Sequence, residues 1–230
     1  MVSIIFPVKN RLAHVKECLP TFLNQTYKDI EIICVDYNCP QNTGGWVKSA
    51  YPQIKVFKAK VRQNEWNLCA SRNIGIKEAG GEIVAIFDAD TLMEPGFIED
   101  CVQRLTNNNF ICGYPIGKLH GCCVISKENI YKVGGYNEFL KGWGFDDQDL
   151  INRLTDGKYH EKNPALKYIN IEMLGFNESL VDLIRHEDSM RVQYQPYKDI
   201  RATNNNNAHI ALHSGKFRGL ESDNIKYIQL

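Results

Sequence analysis

No stretch of this 230-residue sequence is apolar over the roughly 20 residues that a membrane-spanning helix requires. The first residues also lack a basic cluster, and their apolar run is too short for a secretory signal peptide. We therefore expect a chain without a membrane segment, and we expect it to be located in the cytoplasm.

An excess of either charge is missing as well. The sequence has 27 basic and 27 acidic residues, so its formal net charge is zero. We expect no broad nucleic-acid-binding face, because such a face needs many more cations than anions. No Cys-x-x-Cys pair occurs among the eight cysteines, which disfavours a zinc site. We expect the cysteines, including the neighbours Cys122 and Cys123, to be reduced thiols in the core.

Hydrophobic periodicity predicts strands that alternate with helices in the first half of the chain. The predicted strands are 2–8, 29–35, 54–57 and 82–87, and the predicted helices are 12–23, 44–50 and 66–79. Such alternation indicates right-handed β-α-β units and a mostly parallel, Rossmann-like sheet with helices on both faces. We expect the last of these helices to end in a left-handed cap at Gly80 or Gly81, where glycine carries no steric penalty.

The second half of the chain has a mixed pattern. The predicted helices are 95–105, 127–133 and 146–154, and the predicted strands are 110–116, 119–126, 181–185 and 225–230. Four consecutive asparagines, 204–207, are expected to form a loop. The length of the chain favours one α/β domain over 1–230. Within it, 1–90 is the expected nucleotide-binding half, and 91–230 is the mixed half.

The predicted strand 82–87 ends in two acids one residue apart, Asp88 and Asp90. Ligands bind at the carboxyl ends of the strands in an open α/β sheet. Two carboxylates on a short turn there can hold a divalent cation and present it to phosphates. The alternative is that both acids are ordinary turn residues.

Further polar groups are expected at the same edge of the sheet, where the first strand meets the first helix and the second strand ends. Together they favour a nucleotide site, because cations and a helix N-terminus attract phosphate and a carboxylate accepts hydrogen bonds from a base or ribose. As alternatives, Lys9 and Arg11 are solvated charges and Asp36 is a turn residue. The residues expected to face this crevice are Pro7, Val8, Lys9, Arg11, Asp36, Arg72 and Asp88.

These segments together resemble the inverting glycosyltransferases of the GT-A fold. Residues 2–8, 23–32 and 70–76 are similar to the start of family 2 glycosyltransferases. The later segments 142–150 and 183–186 resemble the β-1,4-galactosyltransferase and chondroitin-polymerase group. The resemblance spans nearly the whole chain in order. It departs from family 2 in the turn after the second strand, where one acid, Asp36, remains.

The resemblance implies a divalent metal, Mn²⁺ or Mg²⁺, that stabilises the charge of the departing UDP. Asp90 and His186 are the implied metal ligands, and Asp88 is placed near the ribose or the metal. A mixed oxygen and nitrogen site favours Mn²⁺ over Mg²⁺. The alternative for His186 is an ordinary surface histidine. Leu183 stands where the galactosyltransferases carry a methionine ligand, and leucine cannot coordinate a metal.

The resemblance also implies an acceptor site. Asp147 matches the family's catalytic base, and a neighbouring carboxylate in a sheltered loop would raise its pKa toward the working range. Trp143, Asp146 and Gln148 are the implied acceptor-binding residues, although Gln148 replaces an acid common in the galactosyltransferases. As an alternative, Asp146 and Asp147 cap the helix that follows them.

The implied reaction is the inverting transfer of Gal or GalNAc from a UDP-sugar to a saccharide hydroxyl, with β-1,4 linkage by analogy. GalNAc is included because the stretch 118–121 lacks the tyrosine that disfavours N-acetyl groups in the galactosyltransferases. Two other classes compete with this prediction. One is a non-catalytic UDP-sugar-binding module, and the other is a D-x-D phosphatase or nucleotide hydrolase.

Overall fold

An eight-stranded sheet forms the centre of the structure, a computed structural model that describes residues 1–113, 119–142, 144–155, 166–184, 197–214, 216–223 and 225–230. The strands, in chain order, are β1 Val2–Val8, β2 Ile30–Asp36, β3 Lys55–Ala59, β4 Ile83–Ile86, β5 Thr91–Met93, β6 Asn109–Cys112, β7 Cys123–Ser126, β8 Glu172–Leu174, β9 Val181–Leu183 and β10 Tyr227–Gln229. The helices are α1 Leu12–Leu23, α2 Thr43–Ala50, α3 Leu68–Glu78, α4 Phe97–Arg104, α5 Lys127–Lys132, α6 Asp146–Thr155 and α7 Tyr197–His213.

The strand order in the large sheet is β10-β3-β2-β1-β4-β7-β6-β8. Strands β3, β2, β1 and β4 run parallel to one another, and β10 and β7 are antiparallel to their neighbours. A second sheet pairs β5 with β9. The prediction of a Rossmann-like, mostly parallel sheet with a mixed second part is therefore confirmed. Among the described residues, no helix combines the length and the apolar character needed to cross a bilayer.

Two apolar cores cover the two faces of the sheet, because successive side chains of a strand point to opposite faces. In β1, Ile4 and Phe6 belong to one core and Ile5 to the other. Helix α1 packs Leu19 and other apolar residues on the first core, and α3 packs on the second. All eight cysteines are buried and free, which confirms that they are core thiols.

The predicted left-handed cap after α3 is wrong. Ala79 has an extended backbone (φ −66°, ψ 125°), and neither Gly80 nor Gly81 has a positive φ. Gly81 instead lies against the start of β1, where an added Cβ would be 2.7 Å from the Met1 carbonyl oxygen. Its N–H donates to Ser3 Oγ at 2.9 Å. These contacts require the absence of a side chain, so close packing explains this glycine.

The predicted asparagine loop 204–207 is also wrong, because the run lies inside α7. Asparagine favours turns over helices by propensity. Here tertiary hydrogen bonds outweigh that preference, since the buried Asn207 side chain bonds to the backbone of Lys141 and Gly144. The short strands β5 and β8 were not predicted, and the strand predicted over 119–126 begins at Cys123. Gly121, with φ +84°, bends the chain just before it.

Candidate functional site

The carboxyl ends of β1, β2 and β4 meet at one edge of the sheet, as their parallel pairing requires. Val8 is in register with Asp36 across β1 and β2, and the Tyr37 N–H donates to the Val8 carbonyl oxygen at 3.2 Å. On the other side of β1, the Phe87 N–H donates to the Ile5 carbonyl oxygen at 2.9 Å. The residues that follow these strands are therefore brought to a common crevice.

Arg72 of α3 joins the two sides of this crevice. Its Nη1 donates to Asp146 Oδ2 at 2.8 Å and to Asp147 Oδ1 at 3.0 Å, and its Nη2 lies 3.3 Å from Asp88 Oδ1. The Arg72 side chain is 1% exposed. The structure thus brings together Asp88, expected on the donor side, with Asp146 and Asp147, expected on the acceptor side. An arginine suits this position because its planar fork presents several donors at once.

Local packing fixes the direction of Arg72. The Asn67 side chain caps α3 by accepting a hydrogen bond from the Ala70 N–H at 2.9 Å. The Tyr136 ring lies 4.9 Å from the Arg72 guanidinium carbon, in cation–π geometry. Gly121 passes so close that an added Cβ would be 3.0 Å from Arg72 Nη2. Tyr136 was not predicted as part of the site, and Gly121 was noted only as the end of the stretch 118–121 that lacks the tyrosine of the galactosyltransferases.

Three carboxylates around one guanidinium leave an excess of negative charge, and burial adds to its effect. Burial, and then the charge of Asp146, raise the pKa of Asp147 to about 8, while Arg72 opposes this rise. Burial also raises the pKa of Asp88 to about 6, against the influence of Arg72 and with a further rise from Asp90. Water still reaches both carboxyls, since the Asp88 and Asp147 side chains are 38% and 29% exposed.

The D-x-D turn is held by the small β5–β9 sheet. The Ile184 N–H donates to the Asp90 carbonyl oxygen at 2.8 Å, and Leu183 is in register with Thr91. This pairing brings the chain beside Asp90 two residues before His186. His186 itself lies outside the described residues, so its role as a metal ligand stays a prediction.

The described residues supply part of the ligand set that a hard divalent cation needs. Asp88 and Asp90 supply carboxylate oxygens, which Mn²⁺ and Mg²⁺ accept as ligands. Burial raises the pKa of Asp90, and the nearby Arg11 opposes this rise. Within the ranges that the structure describes, no third His, Cys, Asp or Glu completes a metal cluster with them. His186 is the residue expected to complete it.

Lys9 is buried, so the alternative of a solvated charge is wrong for this residue. Its Nζ donates to the Tyr37 carbonyl oxygen at 3.0 Å and to the Glu65 carbonyl oxygen at 2.7 Å. Burial lowers the pKa of Lys9, although its ammonium still holds both carbonyls. Lys9 thereby ties the loop after β3 to the end of β2. Pro7 and Val8, just before it, are buried at the end of β1.

The structure corrects the prediction that Asp36 contacts a base or ribose. Its side chain is 0% exposed, and its two oxygens accept hydrogen bonds from the Cys39 N–H at 2.6 Å and the Gly44 N–H at 2.7 Å. Both carboxylate oxygens are therefore used to shape the turn after β2 and the start of α2. The alternative, that Asp36 is a turn residue, describes it better. Tyr37 follows it in the same turn.

The predicted acceptor residues lie at the start of α6. Asp146 is buried against Arg72, and Gln148 donates from Nε2 to Asn152 Oδ1 at 2.6 Å, one helical turn away. Trp143 lies outside the described residues. Helix capping alone does not explain the pair Asp146 and Asp147, because both side chains turn to Arg72. Their binding of an acceptor stays a prediction.

An open cleft of about 780 Å³ lies beside the site, at the carboxyl ends of β2 and β3. That volume is typical of small-molecule sites. The Trp66 ring stands edge-on to the Tyr37 ring at 5.5 Å, and four cations face a single acid around the cleft. Sequence reasoning missed this cleft, although aromatic and basic residues do recur between 58 and 66. Its lining residues are Tyr37, Lys60, Val61, Arg62, Glu65, Trp66, Asn67, Lys141, Arg218 and Ile225.

A large, mostly parallel sheet with helices, and two acids on a turn at its carboxyl edge, is the arrangement of the GT-A fold. Residues 3–149 match the family model described as glycosyl transferase family 2. The chain belongs to this family.

A curated relative agrees with this assignment, and solved structures share the fold. Glycosyltransferase GlyG of Streptococcus pneumoniae is 30% identical over 182 residues, which are 77% of this chain and 58% of that protein. The chain thus spans about three fifths of this relative's length. The catalytic domain of Drosophila β1,4-galactosyltransferase 7 has a TM-score of 0.63 at 12% identity and covers 96% of this chain and 83% of its own. Staphylococcus aureus TarS in complex with UDP-GlcNAc has a TM-score of 0.61 at 14% identity, with 88% and 64% covered. At these identities the solved structures support the GT-A fold.

Proposed function

We propose that the chain is an inverting, divalent-metal-dependent glycosyltransferase that moves Gal or GalNAc from a UDP-sugar to a hydroxyl of a saccharide acceptor. The observation that carries this proposal is the contact of Arg72 with Asp88 on one side and with Asp146 and Asp147 on the other. A transferase needs its donor and acceptor groups within a few ångströms of each other, and the contacts of Arg72 support such an arrangement here.

The donor would bind along the carboxyl edge of the sheet. The partly exposed Trp66, packed edge-on against the buried Tyr37 ring, would offer aromatic surface for the base. Asp88 and Asp90, with His186, would hold the metal at the diphosphate. When bound, the metal neutralises the charge that grows on UDP as the sugar–phosphate bond breaks. A mutant of the fold neighbour β1,4-galactosyltransferase 7 was solved in complex with manganese, UDP-Gal and xylobiose, which supports this donor and metal class.

Asp147 would act as the base. It takes the proton of the acceptor hydroxyl while the hydroxyl oxygen bonds to the anomeric carbon, and the bond between that carbon and the UDP oxygen breaks on the opposite face. A pKa of about 8 makes Asp147 a stronger base than an ordinary aspartate. Asp146 and Gln148 stand beside it to contact the acceptor, and Trp143 would offer its indole to a sugar ring.

The identity of the transferred sugar rests on the segment before β7. The tyrosine is missing from the stretch 118–121, and its absence is an argument from sequence alone. Gly121, the last residue of that stretch, lies against Arg72 and Asp147. The fold neighbours hold different donors, UDP-Gal in one and UDP-GlcNAc in the other. We keep Gal and GalNAc as the proposed sugars.

The test is UDP release from UDP-Gal, UDP-GalNAc, UDP-GlcNAc and UDP-Glc, each with Mn²⁺ or EDTA and with or without GlcNAc- or glucuronate-terminated acceptors. An Asp147→Asn variant runs in parallel. We expect Mn²⁺-dependent release that an acceptor stimulates and that the variant loses. Turnover of UDP-Gal with no turnover of UDP-GalNAc would refute the GalNAc part of the proposal.

The same experiment separates the two competing classes. A non-catalytic module would bind UDP in calorimetry and release none from any donor. A nucleotide hydrolase would release UDP at a rate that no saccharide changes. The hydrolase class also lacks support at β1, because the loop after that strand carries Lys9 and Arg11 where an aspartate nucleophile would be needed.

A further inference from the structure

Asn207 of α7 holds the backbone on both sides of residues 142 and 143. Its side chain is 2% exposed. Its amide oxygen accepts from the Lys141 N–H at 3.3 Å, and its amide nitrogen donates to the carbonyl oxygens of Lys141 at 3.0 Å and Gly144 at 2.9 Å. An asparagine amide has two N–H donors and one carbonyl acceptor. One side chain thus satisfies three backbone groups of the loop.

The same face of α7 is in close contact with the loop glycines. A Cβ added to Gly142 would be 2.9 Å from Thr203 Cγ2, and one added to Gly144 would be 2.4 Å from Asn204 Oδ1. Both glycines have positive φ, 73° and 102°. Asn204 and Asn207 are three residues apart, so they lie on one side of the helix. The loop reaches α7 because these two residues have no side chains.

This contact also fixes the start of α6. Gly144 lies two residues before Asp146, and Phe145 between them has φ +67°. The Asp149 N–H donates to the Phe145 carbonyl oxygen at 2.9 Å, which begins the helix. Arg72 contacts Asp146 and Asp147 from the other side. The two acids are therefore held through their side chains by α3 and through the preceding backbone by α7.

We propose that Asn207 is a positioning residue for the acceptor half of the transfer reaction. It sets the position of Lys141 and Gly144 and of the start of α6, and so the position of Asp147 relative to the acceptor hydroxyl. This inference rests on the proposed function. Among the described residues expected to hold the metal or the diphosphate, none contacts Asn207, so its loss is expected to act on acceptor use. Lys141, which lines the open cleft beside the site, links Asn207 to donor binding.

The test compares Asn207→Asp with Asn206→Asp. Aspartate has nearly the shape of asparagine, but at 207 it removes the N–H donors and places a carboxylate oxygen against two carbonyl oxygens. Asn206 is exposed on the same helix and serves as the matched control. We expect acceptor kcat/KM of Asn207→Asp to fall about tenfold or more while the UDP dissociation constant changes less than about threefold. Asn206→Asp should behave as the wild type.

A role confined to stability would lower the Tm of Asn207→Asp and leave acceptor KM, donor KM and kcat per folded molecule unchanged. That result would overturn the proposal, as would an equal rise of donor KM and acceptor KM. Lys141→Ala measures how much of any change in UDP affinity comes from that side chain.

A second readout needs no activity. Hydrogen–deuterium exchange of amides 144–149 should be about tenfold faster in Asn207→Asp than in the wild type and unchanged in Asn206→Asp. Equal protection in all three proteins would overturn the proposal. If the wild type transfers no sugar to any acceptor, the proposed function fails, and the exchange rates still decide whether Asn207 holds the start of α6.

Discussion

Arg72 contacts three carboxylates while almost fully buried, so its shape matters as much as its charge. Lysine keeps the charge, but it is a point donor and cannot reach Asp88 and the acids of α6 together. We predict that Arg72→Lys lowers kcat for transfer about a hundredfold, since small displacements at a reacting centre have effects of that size. We also predict a loss of about 2–4 kcal/mol in the free energy of unfolding, because carboxylates are left unpaired.

The matched control for this substitution is Arg104→Lys. Arg104 pairs with Asp100 one turn away on α4, and the two side chains are 34% and 24% exposed. Urea unfolding should show a change below about 0.5 kcal/mol for Arg104→Lys. Similar losses in both variants, or full activity in Arg72→Lys, would contradict the role given to Arg72.

Asp147 leads to a prediction about pH. A base must be deprotonated to act, so kcat/KM should rise with pH through the pKa of Asp147, about 8. The negative charge of Asp146 raises that pKa, and removing this charge lowers it. Asp146→Asn also leaves Arg72 free to pair with Asp147, which acts in the same direction. We predict that the rising limb of the profile moves about one pH unit lower in Asp146→Asn.

The control for the pH profile is Glu82→Gln. Glu82 is exposed and lies before β4, at the opposite end of that strand from Asp88. Its removal changes the net charge by the same amount but leaves the site intact. Profiles of kcat/KM from pH 5.5 to 9.5 should coincide for Glu82→Gln and the wild type. If the rising limb of the kcat/KM profile does not move in Asp146→Asn, Asp147 is excluded as the group that titrates.

At the scale of elements, local sequence patterns predicted the helices and strands whose bounds depend on local hydrophobic periodicity. The helix α1 was predicted with its true bounds, and β1, β2 and β4 were placed within one residue at most ends, because long apolar runs and 3.6-residue periodicity dominate there. Helix α7 was not predicted at all, and its asparagine run was predicted to be a loop. There, contacts more than 60 residues away along the chain decide the structure, and no local pattern reports them.

The packing of α3 on the sheet gives an element-scale prediction. A Cβ at Gly75 would be 2.2 Å from Ile5 Cγ2 and 3.3 Å from Val35 Cγ2, so Gly75→Ala must push α3 away from β1 and β2. Alanine favours a helix by up to about 1 kcal/mol over glycine, but overpacking a core costs about 1–3 kcal/mol or more. We predict a net loss of about 1–2 kcal/mol in urea unfolding.

Gly96→Ala is the control for this effect, since nothing lies within 4 Å of an added Cβ at the start of α4. It should change the free energy of unfolding by less than about 0.5 kcal/mol. If Gly75→Ala has the same free energy of unfolding as Gly96→Ala, the sheet and α3 adjust to the added methyl group without strain.

For the whole molecule, the sequence order of the strands was enough to predict which strand ends meet at the crevice. Parallel pairing brings Val8, Asp36 and Asp88 to one edge whatever the loops do. The roles within the crevice were less predictable. Burial and backbone hydrogen bonds assign Asp36 to a turn, and the hub position of Arg72 depends on the packing of Tyr136 and Gly121, which no pairing rule determines.

If the metal and the nucleotide bind at one site in the crevice, both ligands together should stabilise the folded state more than either ligand alone. A ligand at about a hundred times its Kd adds about 2.7 kcal/mol to the stability of the state that binds it, and in a domain of this size 1 kcal/mol corresponds to about 2–4 °C. We predict that UDP with Mn²⁺ raises the Tm by about 5–10 °C and that either alone raises it by less than half as much.

Asp90→Asn should keep the Tm of the free protein and lose the cooperative part of the shift. Glu94→Gln, an exposed acid four residues further on, should keep it. If UDP with Mn²⁺ raises the Tm of Asp90→Asn as much as that of the wild type, the nucleotide binds without the D-x-D turn. The metal would then be removed from the proposed site, and the aromatic cleft would remain as the donor site.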